Sequence, residues 1–193
     1  MSYQFRRSRD DLTPIWIIAG ANVVVFLLTM IVPGTVMLLG LQPATVLDKP
    51  WTLVTTMFTH ASFWHIVMNM FTLYFFGIFV GQLVGSRNML YIYFGGGILG
   101  SIFFVLLGSP FSIAIGASGA IFALGGTLAV LRPRTRVVAF PIPIPMPLWV
   151  AIVFGFLIMS FLPGIAWQAH LGGLIGGAIA GYFLRKKARL VLF

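Results

Sequence analysis

Apolar stretches recur along the whole chain, at about 14–32, 65–84, 89–107, 118–131, 148–162 and 169–184, with turn or basic residues between them. A water-soluble fold must cover itself with polar groups. With its 22 glycines counted the chain is about 71 % apolar and only 8 % charged, against about 45–50 % and about 25 % in an ordinary soluble domain. A soluble globule and a disordered chain are both excluded. In lipid each segment must satisfy its own backbone, so the stretches are expected to be helices; they lack the polar–apolar alternation of a membrane barrel. The expected fold is all-α, a polytopic membrane protein with a six-transmembrane-helix bundle. It forms a single domain over 1–193: a tail at 1–13, a core at 14–184 with an outward loop at 33–64, and a basic tail at 185–193.

The basic residues orient the bundle. Arg6, Arg7 and Arg9 precede the first stretch, Arg87 follows the second, and Arg132, Arg134 and Arg136 follow the fourth. Arg185, Lys186, Lys187 and Arg189 follow the sixth, which leaves Lys49 alone on the other side. The positive-inside rule then puts both termini in the cytoplasm of a cell-membrane protein. The net charge of +9 reads as attraction to the lipid bilayer, and no nucleic acid partner is expected, because the charges bracket the spans. The run from Pro14 to Val32 exceeds the ~7–15 residues of a signal-peptide core, so it is read as a retained first helix. Loop 33–64 remains rich in Leu, Val, Phe and Trp. It is expected to lie in the membrane interface with Trp51 and Trp64 as anchors. The Pro-rich run Pro141–Pro147 cannot be regular helix and leads into the fifth stretch.

Missing residue types narrow the chemistry. The chain has no Cys, and its acidic residues are Asp10, Asp11 and Asp48. Disulfides, thiol nucleophiles and relays of buried carboxylates are excluded. No metal and no cofactor is expected: His60 and His65 lie five apart, off one helical face, and no Cys or Glu completes a ligand set. A transporter would need a charged pair or an inverted repeat, and neither stands out.

The informative residues are the polar ones inside the spans. His65 and Asn69, four apart, share a helix face. They can be an interhelical hydrogen-bonding pair or donors to a developing anion. Ser118, in Gly116-Ala117-Ser118-Gly119, falls at a helix start, where orphan N–H groups and the dipole favour negative charge. It can be an ordinary N-cap or a nucleophile beside glycines that admit a close neighbour. His170 shares a face with Gly173, Gly177 and Gly181, and Ser118 with Phe122, Gly125 and Ala129. Small residues at this spacing let two membrane helices approach closely. If the fourth and sixth stretches pack along these stripes, Ser118 and His170 meet. The fourth stretch is only about 21 Å long against a hydrocarbon core of ~30 Å, so Ser118 is expected below the outer surface in a water-accessible pocket.

His65-x-x-x-Asn69, Gly116-Ala117-Ser118-Gly119, Ala169-His170-Leu171-Gly172-Gly173 and the lead-in Trp51-Thr52-Leu53-Val54-Thr55, in this order, resemble the rhomboid intramembrane serine proteases over about 14–184. The resemblance implies a six-helix core, a catalytic Ser118–His170 dyad and oxyanion support from Asn69 and His65. It also implies transmembrane protein substrates cut in or near their spans at small residues, at an active site open to the extracytoplasmic side. Phe122 falls where an aromatic packs on the catalytic His, here without a phenol. Thr52 replaces an Arg common after the Trp, and Gln82 stands where a Glu is frequent. Acyl transfer without an orienting carboxylate is the expected mechanism. A catalytically silent binding or escort protein is the alternative. The expected gate for lateral substrate entry is the outward loop together with the fifth helix. The sequence does not fix the oligomeric state.

Overall fold

The structure is a computed structural model that describes residues 11–139 and 142–188. Most of the expected tail 1–13, with Arg6, Arg7 and Arg9, lies outside the described residues, as does Arg189 of the basic tail. The fold is mostly helical. In chain order it runs α1 (Thr13–Ile31), short α2 (Thr35–Leu39) and α3 (Thr52–Thr55), α4 (Phe63–Val84), α5 (Ser86–Leu107) and α6 (Ser118–Leu131). Strands β1 (Arg136–Ala139) and β2 (Ile142–Pro147) follow, then α7 (Leu148–Ser160) and α8 (Trp167–Leu184). Helices α1, α4 and α5 are long and apolar enough to cross a membrane, while α6 and α7 are shorter apolar helices.

Local sequence explains the boundaries. Helix α4 begins two residues before the expected stretch because the Ser62 Oγ accepts the His65 N–H at 3.2 Å, an N-cap in extended backbone. It ends at Gly85, whose φ of +88° turns the chain directly into α5.

An antiparallel hairpin departs from the all-α expectation. Arg136 faces Pro147, Val137 faces Met146 and Ala139 faces Ile142, with a bulge between Val137 and Ala139. Proline at alternate positions bars a helix but suits the extended chain of an edge strand.

The outward segment 33–64 is ordered. Besides α2 and α3 it holds 3₁₀ turns at Pro43–Thr45 and Thr56–Phe58. Side chains stitch it together: Trp51 Nε1 donates to the Leu38 carbonyl at 2.9 Å and Thr55 Oγ1 to the Leu39 carbonyl at 2.7 Å. Leu41 and Ala114 exchange both backbone hydrogen bonds, at 3.0 and 2.8 Å. This fastens the segment to the chain that leads into α6.

Helix α6 is the hub. From Gly119 to Leu128 every residue but Phe122 is buried, and α8, α5, α4 and α7 surround it, with α8 against it most extensively. The expected glycine stripe of α8 does face α6: a Cβ on Gly173, Gly177 or Gly181 would meet the backbone carbonyl of Gly119, Ala123 or Thr127. On α6, however, the facing stripe is Gly119, Ala123 and Thr127 and not the expected Ser118, Phe122, Gly125 and Ala129. Backbones this close exclude a ring as large as that of Phe122, so the helix is turned to present smaller groups. Gly125 instead meets Phe76 of α4 and Ile152 of α7. Thr127 adds a tie, with Oγ1 donating to the Gly177 carbonyl at 2.9 Å and lying 3.0 Å from the Ala123 carbonyl of its own helix.

Candidate active site

Ser118 is the first residue of α6, after an Ala117 N-cap that offers no side-chain cap. The first intrahelical bond of this end runs from the Ile121 N–H to the Ala117 carbonyl at 3.0 Å, so the N–H groups of Ser118, Gly119 and Ala120 precede the helical ladder, as the first donors of a helix do. Two contacts set the approach. The Gly116 N–H donates to the Thr56 carbonyl at 2.9 Å, and Thr56 Oγ1 donates to the Ala114 carbonyl at 2.6 Å. Gly116 has φ +123°, and a Cβ there would lie 2.7 Å from His65 Nε2. Only glycine fits, for both conformation and space.

His170 stands in the first turn of α8 and is buried. Close packing of α6 on α8 brings its Nε2 to 2.7 Å from Ser118 Oγ, though the two are 52 residues apart in sequence. The His170 Nδ1 is buried without a hydrogen-bond partner among the described residues. Phe122 packs tilted on the imidazole, ring centroids 4.6 Å apart at 31°, and also meets Phe156 of α7 edge-on at 6.0 Å. Ring packing therefore flanks the imidazole, and no carboxylate among the described residues does.

His65 and Asn69 occupy one face of α4. His65 Nε2 is turned toward Gly116, whose Cβ position is in turn 3.6 Å from Ser118 Oγ. Asn69 is buried, and its Nδ2 donates to the His65 carbonyl at 2.8 Å within its own helix. A cavity of about 20 Å³ beside Ser118 is lined by Thr56, Ser101, Gly116, Gly119 and Ala169 among others. That is room for about one water molecule.

His60 belongs to this site, although its spacing from His65 argued against a shared face. It precedes α4 in non-helical chain, so helical spacing does not govern it, and the two rings meet edge-on with centroids 4.9 Å apart. His60 is 1 % exposed, and its Nε2 receives the Ala117 N–H at 3.5 Å, next to Ser118. Burial, and secondarily the neighbouring His65, pushes its imidazole down to about 4 from the usual 6.5. His60 is thus neutral at physiological pH, as an acceptor must be.

A family model described as the Rhomboid domain matches residues 47–187. The chain belongs to the rhomboid family. The match takes in His60, His65, Asn69, Ser118, Phe122 and His170 and leaves out α1. Rhomboid protein 1, mitochondrial, of Saccharomyces cerevisiae is 31 % identical over 153 residues, covering 69 % of this chain and 42 % of the yeast protein. The Bacillus subtilis protein named "Putative rhomboid protease YdcA" is 30 % identical over 142 residues, covering 72 % of this chain and 70 % of its own length. Inactive RHOMBOID-like protein 8 of Arabidopsis thaliana is 32 % identical over 141 residues, covering 72 % and 40 %. The chain spans less than half the length of its yeast and Arabidopsis relatives. As a rhomboid protein it is membrane-embedded, within a family whose members include mitochondrial proteins and one named as inactive.

Proposed function

We infer that this rhomboid chain is an intramembrane serine endopeptidase. It hydrolyses peptide bonds in or near the transmembrane segments of membrane proteins. The observation that carries the reading is the 2.7 Å separation of Ser118 Oγ from His170 Nε2 at the start of a buried helix. In the reacting tautomer the Ser118 O–H donates to Nε2 and the ring proton resides on Nδ1.

Ser118 Oγ attacks the substrate carbonyl carbon as its proton passes to His170 Nε2. The oxyanion forms beside the Ser118 backbone N–H, with Asn69 and His65 as further donors; such a donor is worth about 2.7–4 kcal/mol of transition-state stabilisation. Collapse breaks the C–N bond, and Nε2 returns the proton to the leaving amine. Water then attacks the acyl ester as His170 Nε2 takes its proton, and Nε2 returns that proton to Ser118 Oγ as the ester C–O bond breaks and the acid product leaves. Phe122 performs by packing the orienting role that a carboxylate has in a triad.

In the same reading α1, α4, α5, α6, α7 and α8 are the six membrane helices of a cell-membrane protein, both termini are cytoplasmic, and the Ser118 hollow opens to the extracytoplasmic side. Segment 33–64 and α7 form the lateral gate for substrate. Cross-linking α4 to α7 then blocks cleavage of helical substrates, and unaltered turnover would argue against that gate.

A catalytically silent rhomboid protein that binds or escorts membrane clients is the second reading, favoured by the relative named as inactive. A serine-directed fluorophosphonate separates the two. The enzyme is modified at Ser118, and both Ser118→Ala and His170→Ala abolish modification. A wild-type chain that stays unmodified while keeping its folded helix content supports the silent reading.

A further inference from the structure

The hairpin between α6 and α7 lies at the end of α6 opposite Ser118, and the proposed chemistry leaves it unused. Helices α6 and α7 have 14 and 13 residues, so each is about 20 Å long at ~1.5 Å per residue. A bilayer's hydrocarbon core is about 30 Å thick. The hairpin joins the two short helices at the end away from Ser118.

Its backbone suits such a place. The Leu148 N–H donates to the Thr135 carbonyl at 2.8 Å. Val137 pairs with Met146 and Ala139 with Ile142, so Pro143, Ile144 and Pro145 stand against Val138 alone. Pro143, Pro145 and Pro147 carry no N–H at all. Three of the six β2 residues therefore have no donor to leave unpaired. An unpaired donor is among the groups that bar an open strand from apolar surroundings.

Its side chains carry the same signature. Val138 and Ile144 are 62 % and 64 % exposed, and Trp149 in the first turn of α7 is exposed as well. Val137, by contrast, packs on the core. Arg134 and Arg136 are exposed beside this apolar face. The acidic residues among those described are elsewhere: Asp11 receives the Thr13 N–H at 3.1 Å at the start of α1, and Asp48 lies between α2 and α3.

We propose that the β1–β2 hairpin is a membrane-surface anchor seated on an anionic lipid bilayer. Val138, Ile144 and Trp149 enter the headgroup–acyl boundary, and Arg134 and Arg136 take the lipid phosphates. This holds whether or not Ser118 is a nucleophile. The chain has no Cys, so Ile144→Cys gives a unique site for a bimane label on the full chain in vesicles with brominated acyl chains. With phosphatidylglycerol present the label is strongly quenched, and Arg134→Gln with Arg136→Gln removes most of that quenching. The paired Lys substitutions, which keep the charge, restore it. No quenching in any vesicle overturns the proposal. So does quenching that is equal in pure phosphatidylcholine and indifferent to the arginines.

Discussion

Gly173 of α8 rests on the backbone carbonyl of Gly119 of α6, with no space for a Cβ between them. This contact lies one turn from His170 and one residue from Ser118, so the helix spacing it sets is the spacing that the 2.7 Å Ser118–His170 contact requires. Gly173→Ala should overpack the seam, costing about 1–3 kcal/mol. It should also lower turnover more than a substitution of similar stability cost on the exposed face of α1. Thermal unfolding in detergent and a cleavage assay on the same preparation check both effects.

Thr127 tests the same seam without adding bulk. Thr127→Val loses the hydroxyl donor to the Gly177 carbonyl. The expected loss is small, about 0.6 kcal/mol and at most ~1.7 kcal/mol. A double-mutant cycle with Gly177→Ala should be non-additive, since both act on one contact.

The α8 stripe at 170, 173, 177 and 181 was legible in the sequence because helical period and glycine identity point to one face. The α6 stripe was not, because the period alone cannot choose between adjacent faces; the size of Phe122 makes the choice. His60 escaped for a related reason. Helical spacing from His65 is meaningless for a residue ahead of the Ser62 cap. The hairpin was hidden because proline alternation excludes helix without specifying a pairing partner.

Gly116→Ala probes the turn before the proposed nucleophile. It forces an L-residue to φ +123° and crowds His65 Nε2. Turnover should fall with little change in substrate binding, because the ring facing the proposed oxyanion position is displaced. A split between kcat and KM measures this; a change confined to KM would contradict it.

Stability should depend on pH through His60. Its folded-state value of about 4 lies below the usual 6.5, so between these values the unfolded chain binds more protons than the folded one. The contribution is therefore fully present above about 6.5, declines as pH falls toward 4 and changes no further below that. Unfolding curves across this window should flatten in His60→Gln relative to wild type. An identical pH profile in the variant would remove His60 as the cause.

The most direct test is hydrolysis itself, in liposomes that hold the full chain and a fluorescently labelled single-span substrate with small residues near its membrane boundary. Wild type should release a cleaved product, and Ser118→Ala, folded and inserted to the same extent, should release none above background. Cleavage that persists in Ser118→Ala would contradict the assignment of that hydroxyl as nucleophile.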